Sequence, residues 1–330
     1  MAGRHQARPA GQDWAVGGAS KVPAVKPYFW AVKLLTTAMG EAVSDYLVND
    51  WNKYGAVVVG FVLFAVAIVW QFRTPTYRTW PYWSAVAMVA VFGTMCADVM
   101  HIVLKLPYAV SATFYAVCLT VTFITWYRAE GTLDIHSIVT RRREVFYWLA
   151  VIFTFAMGTA LGDLFATTFH LGYLASAFLF TALICVPFAA WRLGANPVLT
   201  FWVAYVLTRP IGASFADFFG MPKAISGMGY GHGAVSVVTL ILTLASFAYL
   251  ARSGIDQPEP QGPGQSPAQS GAVPQAAGYY PPSGPDAGYP GRDARYGGSP
   301  YQDRRSADPG YQAPRYADPP YGDQRDYRAP

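Results

Sequence analysis

Seven residues of formal charge stand inside otherwise apolar stretches of this chain: Lys33, Glu41, Asp45, Asp98, Asp163, Arg209 and Asp217. A charge at the centre of a bilayer costs roughly 2.5–3.5 kcal/mol on insertion scales, so such groups normally face a bundle interior or an aqueous cavity. Five carboxylates oppose two bases, and the surplus of three must be protonated, hydrated or balanced by a bound cation. That is the usual equipment for cation selection or proton coupling. Lys33, Thr37, Glu41 and Asp45 recur every four residues and form one helical stripe. Arg209 and Lys33 are the internal counter-charges, and Pro210 should loosen the helix beside Arg209. Asp217 lies about 12 Å further along the same helix as Arg209. The expected partner of Arg209 is therefore Glu41 on another helix, nearer in depth.

The aspartates share a frame. Trp30 is followed by Gly40 and Asp45, Trp83 by Gly93 and Asp98, Trp148 by Gly158 and Asp163, and Trp202 by Gly212 and Asp217. In every copy Gly comes ten residues after Trp and Asp fifteen after it, with Ser44, Ala97, Gly162 or Ala216 just before the Asp. Such self-similarity is the mark of internal duplication. The Trp-to-Trp intervals are 53, 65 and 54 residues, which suggests two similar halves of two copies each. Trp reads as an interfacial anchor, and Gly with the small residue four positions later as a small-xxx-small packing strip. The Asp falls about 22 Å along the axis from the Trp, on a different face.

The elements that carry this frame are membrane helices. Only 13% of the 330 residues are charged, against about a quarter in soluble domains, and 53% are hydrophobic. Nine of the 19 acids lie after residue 252, leaving ten for the rest, too few to solubilise a globular surface. The fold class expected is an all-α polytopic membrane protein. Its eight spans run roughly 28–48, 55–72, 80–100, 107–127, 145–169, 173–191, 198–219 and 232–251. Each is near the ~20 residues that ~30 Å of hydrocarbon requires, and none alternates as a barrel strand would. The repeats occupy about 28–72, 80–127, 145–191 and 198–251. Two spans per copy make every motif helix point the same way, so the copies should be related about the membrane normal.

A polar, basic N-terminus at 1–26 and a Gly/Pro/Tyr-rich tail at 253–330 are expected to be disordered. Arg73, Arg78, Arg128, Arg141, Arg142, Arg143, Arg192 and Arg252 share one side, which places both termini in the cytoplasm. The location expected is a bacterial inner membrane.

These motifs resemble a family of uncharacterised bacterial membrane proteins built from four tandem two-helix repeats of unknown function. Its marks here are Tyr28-Phe29-Trp30 with Thr36 through Glu41, the Gly131–Ile138 loop, Phe146-Tyr147-Trp148 through Gly158, and Phe201-Trp202 through Ser214. The resemblance covers about 21–251 and implies the architecture but no activity.

Other signals are weaker. His101, three residues after Asp98, could complete a two-ligand metal site. His170 and His232 sit at outer span ends, apart from carboxylates save Asp163 near His170. Gly227, Gly229, Gly231 and Gly233 lack a phosphate-binding Lys and read as a flexible loop or lid. Cys96, Cys118 and Cys185 read as small buried hydrophobes. No nucleophile–base motif, cofactor motif or basic nucleic-acid patch is present, so neither an enzyme, a cofactor nor a nucleic-acid partner is expected. The partners expected are the lipid bilayer, a small inorganic cation, and a protein for the tail. The leading reading is transport of a small cation, divalent or proton-coupled, through Asp45, Asp98, Asp163, Asp217 and Glu41. The alternative is a non-transporting scaffold or sensor whose aspartates only cap helices or bond neighbouring hydroxyls.

Overall fold

A computed structural model of the chain describes residues 20–258. The expectations for 1–19 and 259–330, including the tail's partner, lie outside the described residues. Among the described residues there are eight α-helices and no strand: α1 Pro27–Asp45, α2 Lys53–Arg73, α3 Thr79–Asp98, α4 Tyr108–Glu130, α5 Arg141–Asp163, α6 Tyr173–Arg192, α7 Pro197–Gly220 and α8 His232–Ser253. Local chemistry sets many of the ends. Pro27 and Pro197 occupy first turns, where a missing N–H costs nothing. Asn52 and Asn196 accept from the free N–H groups that start α2 and α7. Gly131 and Gly254 close α4 and α8 with the positive φ that favours glycine.

Seven of these helices, α2 to α8, are long and apolar enough to cross a membrane, which points to a multi-pass membrane protein. The exception is α1, interrupted by Lys33, Glu41 and Asp45. All three of those side chains are buried, so the polarity of α1 is turned into the bundle.

The helices form two shells. α1 packs on α3, α3 on α5, α5 on α7, and α7 returns to α1. Outside this ring α2 packs on α3, α4 on α5, α6 on α7, and α8 closes on α1. Each second helix thus leans on the first helix of the next repeat. The outer helices expose Val58, Phe61, Val62 and Val66 of α2 and Val237, Val238 and Ile241 of α8, surfaces that water would not tolerate in bulk.

The fourfold relation persists side chain by side chain. The aromatic just before each motif Trp packs on the Trp of the following repeat: Phe29 on Trp83 at 5.7 Å, Tyr82 on Trp148 at 5.8 Å, Tyr147 on Trp202 at 6.2 Å, and Phe201 on Trp30 at 5.5 Å. The tryptophans expected as interfacial anchors are covered by protein. Trp83, Trp148 and Trp202 are buried and Trp30 half-buried, because the cyclic packing draws the rings inward. The motif glycines do what their spacing implies. A Cβ at Gly40 would collide with Ala90, at Gly93 with Phe155, at Gly158 with Arg209 and at Gly212 with Thr37. Each neighbour stands seven residues after its own Trp, so one contact is repeated four times around the ring.

The end of the bundle where the described residues begin and end is closed by a strap. Ser20–Ala24, expected in the disordered N-terminus, is buried. Lys21 N–H donates to Ile138 O at 3.0 Å, Tyr77 N–H to Ser20 O at 3.1 Å, and Ala24 N–H to Asp256 O at 3.2 Å. The expected start of the tail is likewise packed: Asp256 is buried and accepts a hydrogen bond from the Tyr77 hydroxyl. Burial, and then that carboxylate, push the Tyr77 hydroxyl well above its ordinary pKa. Composition hid these segments because a few buried side chains, Val22 and the Lys21 ammonium among them, outweigh their polar neighbours. The Gly131–Ile138 loop supports the same end, since Leu133 O accepts from the Trp202 indole at 3.0 Å.

Glu144 holds the strap. Lys21 Nζ lies 2.6 Å from its Oε2, and Gln71 Nε2 donates to its Oε1 at 3.1 Å. Breaking a buried pair costs about 3–5 kcal/mol, whereas exposed pairs contribute about 0–1. Glu144→Ala should therefore lower the unfolding free energy in detergent by several times more than Arg142→Ala, whose side chain is 66% exposed. Equal losses would deny the strap its buried ion pair.

Candidate functional site

The site begins at the centre of the ring with Arg209, which is fully buried. Its Nη1 donates to Thr37 O at 2.9 Å, and its Nη2 to Glu41 Oε2, to Thr94 Oγ1, and to Thr159 Oγ1 at 2.7 Å. The ion pair expected between Arg209 and Glu41 is present. Glu41, Thr94 and Thr159 each stand eleven residues after their Trp, and the fourth copy carries Ala213 there. One repeat supplies the cation and the other three supply its acceptors. Thr94 and Thr159 escape a search for charged residues, although their place in the frame, level with Glu41, marks them.

Lys33 behaves differently from expectation. It is fully buried, but its Nζ has no hydrogen-bond acceptor and lies 4.0 Å from the Phe155 ring and 4.1 Å from the Tyr205 ring. Aromatic faces attract an ammonium, so this is a cation–π cradle rather than a counter-charge bonded to a carboxylate. Towards the terminal end, Tyr82 and Tyr147 share a hydroxyl hydrogen bond of 2.5 Å across the aromatic layer.

Towards the opposite end lie the motif aspartates. Each is placed by the same geometry, one turn beyond the glycine contact of its own helix. Glu41, Asp45 and Asp217 are buried, and one carboxylate oxygen from each lies within 4.8 Å of the others. Asp98 and Asp163 are half-buried and, like Asp45, stand as the last residues of their helices. Ser44 donates to Asp98 at 3.4 Å. The four aspartates and Glu41 therefore lie towards one end of the ring, with three of the five carboxylates clustered.

Immediately after Asp45, Asp98 and Asp163 the chain widens into a π-helical turn, at Tyr46–Trp51, Val99–Val103 and Leu164–Thr168. Single π turns are frequent at functional positions. The fourth copy stays α-helical to Gly220 and then folds back. Met228, Gly229, Tyr230 and Gly231 donate backbone hydrogen bonds to Phe218, Met221, Phe219 and Gly220. The glycine-rich loop is thus a strapped return, with Gly229 and Gly231 at positive φ. It brings His232 Nδ1 to 3.5 Å from Asp45 Oδ2, which corrects the expectation that His232 stands apart from carboxylates.

The expected Asp98–His101 pair is not made. His101 lies in the π turn, stacks on Tyr108 at 3.7 Å, and joins its Nδ1 to Leu106 O at 3.0 Å. The wider turn breaks the three-residue spacing that would align the two on an α-helix.

A family model described as a Repeat of Unknown Function (DUF347) matches residues 28–77, 81–132, 146–194 and 200–256. The chain belongs to the DUF347 repeat family. Each DUF347 copy matched here holds one ring helix and the outer helix that follows it, so the family unit is the unit of the fold. No curated protein and no solved structure matches the chain. In this DUF347 protein the Trp, Gly and Asp positions recur in every copy, whereas Glu41, Arg209 and Lys33 each occur in one. The repeat builds the ring, and single-copy charges differentiate it.

Proposed function

We propose that this protein is a transporter of a small cation across a bacterial cytoplasmic membrane. Both termini lie inside, and α1 makes an eighth crossing beside the seven apolar helices. The observation that carries the reading is the gathering of Glu41, Asp45 and Asp217 at one end of a closed helix ring, where Asp98 and Asp163 also end their helices. Arg209 is the fully buried base paired within it, and His232 adjoins Asp45 at its edge. Carboxylates that served only as helix caps would stand at separate interfaces and have no need of one another.

The same geometry divides the path. Asp98 and Asp163, half-exposed, form an acidic mouth that concentrates cations. Asp45, Asp217 and Glu41 receive the ion deeper in. Arg209 holds the midpoint and repels a second cation. The aromatic layer and the buried strap cover the terminal end. Transport then requires the aromatic layer and strap to part, a rearrangement of the kind repeat-built transporters make around a central site.

The test is flux in proteoliposomes loaded with mono- or divalent cations, comparing the wild-type protein with Asp45→Asn, Asp98→Asn, Asp163→Asn and Asp217→Asn. Wild-type flux that is lost in Asp45→Asn and Asp217→Asn and reduced in the two mouth variants supports the reading. If folded wild-type protein moves no cation, and the variants lose only thermal stability, the carboxylates are structural and the proposal fails.

A further inference from the structure

We infer that Glu41, Asp45, Asp217 and His232 form a binding site for one divalent transition-metal ion. This deepens the transport reading and rests on it, by naming where the cation is held and of what class it is.

Two observations distinguish this set from a mere accumulation of acids. The first is a nitrogen donor. His232 Nδ1 stands 3.5 Å from Asp45 Oδ2. Ligand atoms at metal bond lengths of about 2.0–2.1 Å, arranged tetrahedrally, are themselves about 3.4 Å apart. The pair is thus spaced as two ligands of one ion, and is long for a strong hydrogen bond. The second is an orphaned acceptor. Asp217 is 4% exposed, and its Oδ1 has no hydrogen-bond partner. A buried acceptor left without a donor is costly, and a cation removes that cost.

Charge and donor type narrow the ion. Three carboxylates beside one guanidinium leave two negative charges at a buried point, which one divalent cation neutralises. Three oxygens and an imidazole suit zinc, manganese, iron or cobalt better than magnesium or calcium, whose sites are built from oxygen. Glu41 already accepts from Arg209 and Thr94 through Oε2, so Oε1 is the atom it offers. Those bonds hold its carboxylate in place as outer partners of a ligand do.

The protein around the site is braced. Ser236, one turn after His232, donates to Ala42 O at 2.6 Å and fastens α8 to α1 next to Glu41. The strapped return of the glycine-rich loop sets the start of α8. The three carboxylate oxygens, within 4.8 Å of one another, close by up to about 1.4 Å to reach tetrahedral spacing, and the His232 ring, which adjoins Asp45 but not the other two, must swing towards them.

The experiment is equilibrium dialysis of the full-length protein in detergent against Zn2+, Mn2+ or Mg2+ alone, with metal counted by mass spectrometry. X-ray absorption of the zinc-loaded sample is recorded alongside. One Zn2+ or Mn2+ per chain is expected, with Mg2+ bound more weakly. Asp217→Asn should lower the affinity at least about tenfold. His232→Gln should remove the imidazole signature from the absorption spectrum. Arg142→Ala, whose side chain is 66% exposed and remote from the ligand set, should retain the ion and serves as the folding control. The inference is overturned if wild-type protein holds no divalent ion, if Asp217→Asn binds as tightly as wild type, or if the bound zinc shows no imidazole. Because binding is read without flux, its failure is separable from failure of the transport reading. Proteoliposomes that move protons or monovalent ions with no metal bound would sink this site and leave transport standing.

Discussion

Arg209→Met, assayed by denaturation in detergent with a chelator present, is expected to cost the fold about 3–5 kcal/mol. Methionine fills much of the arginine's volume, so the loss is not chiefly a cavity. It comes from Glu41, which is 3% exposed and would be left with an uncompensated charge. Thr94 and Thr159 would remain as its neutral donors, at 3.2 and 3.5 Å, and cannot replace the guanidinium. Four acceptors on α1, α3 and α5 would lose the group that joins them to α7. Adding Glu41→Gln to Arg209→Met removes the stranded charge and should recover most of the stability, because a neutral buried pair is often as stable as an ionic one. Arg209→Lys should not rescue. An ammonium is a single point and cannot serve Thr37 O, Glu41 and Thr159 together as the planar fork does. Should Arg209→Met unfold like wild type, the centre of the ring would not depend on this pair.

The second large effect concerns the glycines that close the ring. A Cβ at Gly212 would sit 2.7 Å from Thr37 Cβ and 2.8 Å from the Ala38 backbone nitrogen. Backbone cannot rotate away as a side-chain tip can, so α7 and α1 must separate. Overpacking of this kind typically costs 1–3 kcal/mol. Gly212→Ala should reach the upper part of that range, since the same separation stretches the Arg209 bonds to Thr37 and Glu41. Gly40→Ala, facing Ala90 backbone at 2.7 Å, should behave alike. Gly55→Ala is the contrast. Nothing nearer than 3.6 Å surrounds its Cβ, and its φ is not positive, so it should be neutral or gain up to about 1 kcal/mol. Comparable losses at 55 and 212 would show that close helix approach is not what the motif glycine provides.

These two results bear on how the repeat works. The glycine contact is made four times and fixes the distance between neighbouring ring helices. The arginine is present once and turns a symmetric ring into a polarised one. Four identical charged copies would repel across the axis, whereas one cation with three polar acceptors satisfies every copy.

The two levels of description separate cleanly. Composition and the fifteen-residue Trp–Gly–Asp spacing were enough to read the helices, the duplication and the depth of each charge, because these depend on local hydrophobicity and helical rise. The Arg209–Glu41 pair was legible for the same reason: both lie at similar depth, and each required an opposite charge. Depth, however, does not say which way a helix is turned about its axis or what covers it. Only the tertiary structure decided that the tryptophans pack inward on the preceding aromatics. Only it decided that Lys33 meets two rings instead of a carboxylate, that the Val22 strap closes one end, and that a loop of paired backbone returns His232 to Asp45. Those outcomes depend on contacts between residues as distant in sequence as 45 and 232, set by how four copies of one unit close on each other. What the sequence by itself determined was the unit and its charges; the closing of the ring made them a site.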